Sequence, residues 1–324
     1  MTTFAVVGNN DLGGTGKFLF ELSKYIDFIR IRNKSELSKV DKKIILLIQQ
    51  LTHTDITCDD IIKTECVYYI NIHDFCWLNP MINYVYSEIE YHSIYLTRTY
   101  LRSDVISLFA RAKNVLFPSM FILNEYKKRI NFSNYLLVPN PDEKIICKIK
   151  LIKVIRNINI GICHSLTICK GRQLINFLRA KISNFANCRV NFIEVEYDET
   201  NFFEKIKLKN IHGLLALNVW GESYCYALTK FLNSGLPIIY NNIGSFRERI
   251  PQNSHFFQVF DYEKDISCSN FLIRRFREFL NYIFEGKFES FEHRTNNFFL
   301  FDYKSSRSST ELSDVSLLYS ASEL

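Results

Sequence analysis

The chain has 324 residues, with a hydrophobic fraction of 47% and a charged fraction of 23%, which are the proportions of an ordinary globular protein. This length favours two domains, each large enough to bury a core of its own. The formal net charge of +6 suits anionic ligands such as nucleotides, or an anionic membrane surface, but it is too small and too scattered to predict nucleic-acid binding.

Three features predict a cytoplasmic protein. The N-terminus has no basic segment ahead of an apolar run, so it is unlike a secretory signal peptide. No apolar stretch approaches the roughly 18 residues that a membrane-spanning helix needs. The nine cysteines include no CxxC pair, which indicates buried reduced thiols rather than disulfides or a zinc site. We therefore expect a cytoplasmic location, with peripheral contact to a membrane left open.

The first part of the chain alternates short apolar runs with helix-like stretches. Residues 4–8 predict a buried strand, and the glycines at 13, 14 and 16 predict a loop that leads into a helix with Phe18, Leu19, Leu22 and Tyr25 on one face. Further strands are predicted at residues 44–48, 66–72, 114–117 and 135–138, with helices at 84–113 and 120–130. This alternation indicates βαβ units and a parallel sheet. Two prolines within residues 138–142 mark the end of a first domain, assigned to residues 1–145.

The same alternation then begins again. Strands are predicted at residues 158–162, 190–195, 213–217 and 256–260, with a helical stripe at 174–178. A further buried strand is predicted after the glycine at 235. An amphipathic helix at 270–285, ended by Gly286, closes a second domain that we assign to residues 146–290. The remaining residues, 291–324, form a serine-rich tail whose end is expected to be disordered. The predicted fold class is therefore α/β, with two domains built on parallel sheets.

The block from residue 220 to 249 carries most of the functional information. Five of its residues recur at the spacing of a buried helix face: Tyr224, Ala227, Leu228, Phe231 and Leu232. Ser223 lies at the predicted N-cap, and Gly235 with Pro237 ends the helix. Glu222 then lies beside backbone N–H groups at the positive end of the helix dipole. It either stabilises the helix alone or contacts a ligand whose anionic group binds those N–H groups.

Two further pairs are candidate ligand contacts. His73 and Asp74 follow a predicted strand, at the end of a parallel sheet where α/β proteins place such contacts. Lys170 and Gly171 precede a predicted helix, where a lysine can present its charge to a diphosphate. The plain alternatives are a solvated strand end and an exposed surface lysine.

The N-terminal glycines also suit close approach to a ligand. Gly13 and Gly14 lie between a strand and a helix, but the sequence lacks both the third glycine of a dinucleotide fingerprint and the first glycine of a Walker motif. A tight turn is therefore an equal alternative, and a Rossmann oxidoreductase is disfavoured. No DxD triplet occurs in the chain, which disfavours sugar transferases that hold a metal–diphosphate through one.

From residue 220 to 249 the sequence resembles the retaining GT-B glycosyltransferases of the family-four group. The likeness is greatest to bacterial members that build O-antigen or rhamnan-type polysaccharide. Shorter family motifs resemble residues 13–14, 73–74, 112–119, 138–142 and 170–171, in the family's order. The family pattern in the main block, W-[GP]-E-[ST] followed by Y-x-L-x-E and later I-G-x-F-R-E-R, departs at one position, where Lys230 replaces the second glutamate.

The resemblance implies two Rossmann-like domains that face each other across a cleft, a nucleotide-sugar donor bound as substrate by the second domain, and no metal or other cofactor. Glu222 would contact hydroxyls of the donor sugar, and His73 would face that sugar; these two are the predicted catalytic residues. The backbone at Ser223 and Tyr224, together with Lys170, would hold the diphosphate. The predicted donor-binding residues are Gly13, Gly14, Asp74, Lys170, Gly171, Ser223, Tyr224 and Lys230.

Two functions follow from the resemblance. The first is transfer of a hexose or deoxyhexose from a nucleotide sugar to a glycan or a lipid-linked acceptor. The second is a catalytically degenerate GT-B protein that binds a glycan or a partner. Lys230 favours the second, because an ammonium cannot accept hydrogen bonds from the ribose that the family's glutamate binds. A lysine there contacts a phosphate instead, or no ligand.

Overall fold

The structure is a computed structural model, and it describes residues 4–8, 13–78, 102–140, 154, 156–163, 170–195, 201–250, 256–259 and 269–286. These residues form an α/β fold with two six-stranded sheets. The predictions that concern residues 79–101, 141–142 and 291–324 fall outside the described residues. The bounds of the two domains stay a prediction.

The first sheet is parallel throughout. Its strands are β1 (Phe4–Val7), β2 (Phe28–Ile31), β3 (Ile45–Ile48), β4 (Tyr68–Asn71), β5 (Asn114–Phe117) and β6 (Tyr135–Leu137). They lie in the order β2-β1-β3-β4-β5-β6. The helices of this unit are α1 (Gly13–Ser23), α2 (Lys34–Leu37), α3 (Cys58–Lys63), α4 (Ser103–Arg111) and α5 (Met120–Lys127).

The second sheet is parallel except at one edge. Its strands are β7 (Asn157–Cys163), β8 (Asn184–Phe185), β9 (Cys188–Val195), β10 (Gly213–Ala216), β11 (Ile238–Tyr240) and β12 (Phe256–Gln258). They lie in the order β12-β11-β10-β7-β9-β8, and only the β8–β9 pair is antiparallel. Its helices are α6 (Arg172–Lys181), α7 (Phe202–Leu208), α8 (Tyr226–Asn233), α9 (Phe246–Arg249) and α10 (Ser269–Glu285).

Each sheet has its own apolar core, and both cores follow the predicted periodicities. The central strands β1, β4, β5, β10 and β11 are largely buried on both faces, as expected of parallel sheets covered by helices. The predicted stripe of α10 is buried against the second sheet: Leu272, Phe276, Phe279, Leu280 and Ile283. Gly213 makes this packing possible, because a Cβ there would lie 2.5 Å from the ring of Phe279. The predicted α/β fold with two parallel-sheet units is therefore confirmed.

The glycine-rich segment near the N-terminus corrects one prediction. Gly13, Gly14 and Gly16 belong to the first turn of α1 rather than to a loop that precedes it. The helix is anchored by the buried side chains of Phe18, Leu19 and Leu22, which outweigh the poor helix propensity of glycine. Tyr25 does not continue this buried face, because it lies beyond the end of α1 and is 60% exposed.

The described cysteines agree with the prediction of reduced thiols. Cys58, Cys66 and Cys188 are buried and Cys76 and Cys225 are half-buried, and all five are free. The remaining cysteines lie outside the residues whose side chains the structure describes.

The strand order of each sheet defines one crevice. In the first sheet β1 lies between β2 and β3, and in the second sheet β7 lies between β9 and β10. The chain thus proceeds outward in opposite directions from the first strand of each sheet. In open α/β sheets, ligands bind at the carboxyl ends of the strands that flank such a reversal. The sites of interest are therefore the loops after β1 and β3, and those after β7 and β10.

Candidate functional site

Lys170 and Glu222 form an ion pair at the crevice of the second sheet. The Nζ atom of Lys170 donates to Oε1 of Glu222, and the two side chains are 34% and 12% exposed. Asn218 donates to the same oxygen from Nδ2 at 2.8 Å. Oε2 of Glu222 makes no hydrogen bond to any described residue. An anion that draws the ammonium away would therefore leave a carboxylate able to accept hydrogen bonds.

Gly171 sets the position of Lys170. It is the N-cap of α6 and has a φ of 80°, in the left-handed region that favours glycine. A Cβ at this position would lie 1.9 Å from the carbonyl oxygen of Leu217, which follows β10. The start of α6 is thus packed directly against the loop that carries Glu222. Packing accounts for the glycine, and its predicted contact with a ligand stays a prediction.

The segment after β11 supports the loop that carries Glu222. Gly244 has a φ of 62°, and a Cβ there would lie 2.5 Å from the backbone nitrogen of Glu222. The backbone N–H of Ser245 donates to the carbonyl oxygen of Glu222 at 2.9 Å. Asn241 donates from Nδ2 to the carbonyl oxygen of Asn218 at 2.8 Å. The glutamate is therefore held at both its side chain and its backbone.

The helix of this block begins later than predicted. Its N-cap is Cys225, with a φ of 63° and no side-chain hydrogen bond, so Ser223 is not the N-cap. The left-handed residue reverses the chain just before the helix, and this separates Ser223 from the helical N–H groups. The Ser223 hydroxyl instead donates to the carbonyl oxygen of His73 in the other unit. The backbone N–H groups that open the helix begin at Tyr226.

The predicted buried face of this helix is partly correct. Three of its residues are buried in α8: Leu228, Phe231 and Leu232. Tyr224 is also buried, but it precedes the helix, and its ring lies 5.1 Å from that of Tyr226. The guanidinium of Arg249 stacks on the Tyr224 ring at 3.8 Å and donates to the carbonyl oxygen of Cys225 at 2.8 Å. Ala227 is only half-buried. The aromatic and cationic packing thus fixes the turn that opens α8.

Lys230 lies in the interior of the second unit. Only 3% of its surface is exposed, and its Nζ atom is 5.8 Å from the centre of the Phe203 ring on α7. The neighbouring Thr229 is also buried and accepts a hydrogen bond from Arg249. The aliphatic stem of the lysine therefore contributes to packing. Its predicted contact with a ligand stays a prediction.

His73 lies at the carboxyl end of β4 in a buried polar network. Its Nε2 atom contacts Oε1 of Gln49 and lies 3.0 Å from Nδ2 of Asn71. The edge of the Phe18 ring packs against the imidazole, with ring centres 5.0 Å apart. Burial lowers the pKa of His73 to about 3, so its imidazole is neutral at physiological pH.

Asp74 has a clear structural role. Its Oδ2 atom accepts from Nε2 of Gln50 at 2.8 Å, and its Oδ1 atom accepts from the backbone N–H of Cys76 at 2.7 Å. Its carbonyl oxygen accepts from the Tyr126 hydroxyl at 2.8 Å. The carboxylate thus closes the turn after β4, next to His73. Its predicted contact with a ligand stays a prediction.

Direct contacts join the two units around this site. Glu248 of α9 accepts hydrogen bonds from the backbone N–H groups of Met120 at 2.8 Å and Phe121 at 2.7 Å. The rings of Phe75 and Trp220 meet edge to face, with centres 5.9 Å apart. Together with the contact between Ser223 and His73, these interactions bring the predicted residues of the two units to one place.

Gly13 and Gly14 lie in the first turn of α1, which is close to the second unit. A Cβ on Gly14 would lie 4.0 Å from Cδ2 of Tyr226, so the first turn of α1 lies close to the first turn of α8. Residues of both units share one apolar cluster here: Val6, Phe18, Leu19, Leu22, Tyr224 and Tyr226. Two helix N-termini, each with positive dipole character, are therefore adjacent.

Three residues of this site were missed from the sequence. Gln49 and Asn71 contact His73, and Asn218 contacts Glu222. Each lies at the carboxyl end of a parallel strand, which is the same signal that singled out His73. Extending that rule to every predicted strand would have found them.

Within the described ranges, no three histidine, cysteine, aspartate or glutamate side chains are grouped so that they could hold a metal ion. No helix in the part of the chain that the structure describes has the length and apolar character needed to cross a bilayer.

No protein-family model matches the sequence, and no curated protein matches it. Solved structures do match. The Anabaena protein HepE (Alr3699), solved with UDP and glucose, has a TM-score of 0.55 and 10% identity, covering 88% of this chain and 93% of its own. The lipopolysaccharide outer core galactosyltransferase WaaB has a TM-score of 0.53 and 11% identity, covering 88% of this chain and 91% of its own.

A third similar structure is sucrose-phosphate synthase from Thermosynechococcus elongatus, with a TM-score of 0.53 and 11% identity, covering 89% of this chain and 92% of its own. At these identities the likeness establishes the fold. The class of protein that this fold defines is GT-B, two Rossmann-like units of the kind found in glycosyltransferases. The chain has the GT-B fold across both of its sheets.

Proposed function

We propose that this protein is a glycosyltransferase that moves a hexose or a deoxyhexose from a nucleotide sugar to a glycan or a lipid-linked acceptor. The observation that carries the proposal is the ion pair of Lys170 and Glu222 at the crevice of the second sheet, close to His73 of the first. The similar protein HepE was solved with UDP and glucose. A nucleotide sugar combines the two groups that this pair would bind, an anionic diphosphate and neutral hydroxyls.

The electrostatics favour binding of a diphosphate. Lys170 supplies a full positive charge, and the start of α8 adds the partial positive charge of a helix N-terminus. In the ligand-free protein Glu222 neutralises the lysine. A diphosphate competes for the ammonium and releases the Glu222 carboxylate, which then accepts hydrogen bonds from sugar hydroxyls. One rearrangement thus prepares both halves of the donor site.

The transfer step follows from these contacts. The bond between the anomeric carbon and the diphosphate oxygen breaks, a bond from the acceptor oxygen to that carbon forms, and the acceptor proton ends on the released diphosphate. Lys170 and the helix N–H groups stabilise the charge that develops on the leaving group. His73 and Glu222 supply the rest of the rate enhancement by positioning the donor sugar. The sequence resemblance implies retention of configuration and independence from a metal. The sequence also predicts a cytoplasmic location, with peripheral contact to a membrane left open.

A panel of nucleotide sugars tests the proposal. Thermal shift and calorimetry are measured for the wild type and for Glu222→Ala, with Glu278→Ala as a matched control. Glu278 is an exposed carboxylate on α10 that pairs with Arg275 within the second unit. We expect one donor to bind the wild type and the control but to bind Glu222→Ala more weakly. If no nucleotide sugar binds at millimolar concentration, the proposal is wrong.

A second candidate function is favoured by Lys230. The lysine replaces a carboxylate of the resembling family, and it is buried against Phe203. A protein that has lost donor binding would keep the GT-B fold and bind a glycan or a partner instead. Lys230→Glu tests this alternative, with Lys230→Met as the control that keeps the stem but removes the charge. If donor affinity rises in Lys230→Glu but not in Lys230→Met, the lysine at this position has weakened donor binding relative to the glutamate of the resembling family.

A further inference from the structure

Asn218 is a hydrogen-bond donor to Glu222 that the proposed roles do not use. It lies just after β10 and is 7% exposed, and its Nδ2 atom donates to Oε1 of Glu222 at 2.8 Å. Lys170 donates to the same oxygen. In the part of the chain that the structure describes, no third group donates to this carboxylate. Oε1 is therefore shared by a charged donor and a neutral donor, and Oε2 carries neither contact.

The direction of the contact between Asn218 and Glu222 is fixed by its chemistry. An ionised carboxylate can only accept hydrogen bonds, and the amide of asparagine has its N–H donors on Nδ2 alone. The amide must therefore present Nδ2, rather than its oxygen, to Glu222. A hydrogen bond to an ionised group is also stronger than one between two neutral groups.

The backbone around Asn218 is held from two sides. Asn241 is fully buried after β11, and its Nδ2 atom donates to the carbonyl oxygen of Asn218 at 2.8 Å. The preceding carbonyl group, that of Leu217, lies directly against Gly171 at the start of α6. Asparagine has a short side chain, so a fixed backbone leaves it little freedom to move, whereas the long stem of Lys170 can swing.

We propose that Asn218 is a positioning residue that holds Glu222 by Oε1 after Lys170 has moved to the diphosphate, so that Oε2 is presented to the ligand. This inference rests on the proposed function and deepens it, because that function requires the lysine to leave the glutamate. Without a second donor, the released side chain would spread over its rotamers or follow the ammonium. With Asn218 in place, the carboxylate keeps one position before and after the donor binds.

The side-chain N–H signals of Asn218 report this contact in the ligand-free protein. ¹H–¹⁵N correlation spectra of the wild type and Asn218→Asp assign them, since they disappear in the variant, and their exchange with solvent is then measured. We expect one slowly exchanging proton in the wild type and also in Lys170→Met, which mimics departure of the ammonium. Exchange should be fast in Glu222→Ala. Fast exchange in Lys170→Met would overturn the inference, because the lysine would then be needed to hold the pair.

Asn218→Leu removes the donor and keeps a side chain of similar size. It should weaken the nucleotide sugar found in the panel about tenfold, whereas the nucleoside diphosphate alone should bind as it does to the wild type, because Lys170 is intact. Asn191→Leu is the matched control: Asn191 lies on β9 of the same sheet and donates to Oδ1 of Asn159 at 3.0 Å. Both ligands should bind this control normally. Equal weakening of both ligands in Asn218→Leu would overturn the inference, since it would indicate a distorted crevice.

Asn218→Asp gives a readout that a purely structural role would not change. While protonated, the introduced carboxyl group donates to Glu222 as the amide does; once ionised, it repels the glutamate. A neighbouring carboxylate raises the pKa of such a group. The affinity of Asn218→Asp for the nucleotide sugar should therefore recover toward that of the wild type as the pH falls from 8 to 5. An affinity that does not change over this range would contradict the inference.

The groups around the pair do not mask this pH dependence. Lys170, the Cys225 thiol and the Arg249 guanidinium lie within electrostatic reach of one another in the second unit, and His73 faces them from the first. Burial raises the pKa of Cys225 to about 11 and lowers the pKa of His73 to about 3, so neither changes charge between pH 5 and 8. The wild type serves as the reference at each pH.

The exchange measurement separates this inference from the proposed function, because it needs no ligand. A protein that binds no nucleotide sugar but keeps the slowly exchanging proton in Lys170→Met counts against the glycosyltransferase proposal and leaves the positioning of Glu222 by Asn218 standing. A protein that binds a nucleotide sugar but loses that proton in Lys170→Met supports the glycosyltransferase and overturns the role of Asn218.

Discussion

The carboxylate of Glu248 caps the helix that begins beside Phe121. Glu248 belongs to the second unit, whereas the two N–H groups that it accepts, those of Met120 and Phe121, open α5 of the first. A carboxylate at a helix N-terminus satisfies otherwise unpaired donors and interacts favourably with the dipole. The aromatic ring of Phe121 also covers Gly221, where a Cβ would lie 2.3 Å from it. One helix start therefore ties the two units together next to Glu222.

Glu248→Ala should loosen this junction. The substitution leaves two N–H groups without their partner, and losing a helix cap costs about 1 kcal/mol. Because the cap joins two units, we expect a larger radius of gyration in small-angle X-ray scattering as well as a lower free energy of unfolding. Glu278→Ala removes a carboxylate that is paired within the second unit only, and its radius of gyration should match the wild type. Equal radii for all three proteins would show that Glu248 does not hold the units together.

Gly171→Ala should destabilise the protein more than a comparable glycine substitution elsewhere. A left-handed alanine costs about 1–2 kcal/mol, and at this position its Cβ would also overlap the carbonyl oxygen of Leu217 at 1.9 Å. Gly286 is a matched control, because it has a φ of 64° but no atom within 4 Å of its Cβ position. Denaturant unfolding should show a larger loss for Gly171→Ala than for Gly286→Ala.

The same pair of variants separates stability from binding. Gly171→Ala should also weaken donor binding, since the backbone shift that relieves the overlap moves Lys170 away from Glu222. Gly286→Ala should bind the donor as the wild type does. Equal unfolding free energies for the two variants would contradict the close packing of α6 against the loop after β10.

The stability of the protein should depend on His73 between neutral and acidic pH. Burial lowers the pKa of this imidazole to about 3, whereas an unfolded histidine titrates near pH 6.5. Between these values the unfolded chain binds a proton that the folded chain does not. The contribution is therefore fully present above pH 6.5 and is lost as the pH falls, by about 2 kcal/mol at pH 5.

Urea unfolding at pH 7 and pH 5 measures this effect. His73→Asn should lose less stability on acidification than the wild type. Burial also lowers the pKa of His212, but that contribution is the same in both proteins and cancels in the comparison. His53→Asn is the control at an exposed histidine with a φ of 68°, a conformation that asparagine tolerates. Identical pH dependence in the wild type and His73→Asn would contradict the buried neutral state of His73.

Much of the fold is readable from the sequence because its strands are continuous apolar runs. The strand Asn114–Phe117 and the helix Ser269–Glu285 agree with their predicted positions closely. The strand Phe28–Ile31 was missed because it lies at a sheet edge, where Ile29 is 51% exposed and Arg30 interrupts the apolar pattern. The helix Cys58–Lys63 was missed although Thr57 and Asp60 form a capping box that the sequence displays.

The site was predicted less completely than the fold. The order of the motifs placed Lys170, Glu222 and His73 at one location, and the structure brings them together. The order of the motifs could not show that Lys170 and Glu222 neutralise each other, because side-chain pairing between distant loops leaves no periodic pattern in the sequence. The left-handed conformation of Cys225, which makes α8 begin only at Tyr226, could not be predicted from the sequence for a similar reason. Cysteine has no particular preference for that conformation, so only the tertiary packing of Tyr224 and Arg249 accounts for it.

The central claim is that Lys170 binds a diphosphate while Glu222 binds a sugar. Calorimetry with the best nucleotide sugar of the panel and with its nucleoside diphosphate alone tests it most directly, in the wild type, Lys170→Met and Glu222→Gln. We predict that Lys170→Met weakens both ligands. Glu222→Gln should weaken the nucleotide sugar about tenfold while the diphosphate binds as well or better, because its competitor for the lysine has lost its charge. Equal weakening of both ligands by Glu222→Gln, or no effect of either substitution, would contradict the account.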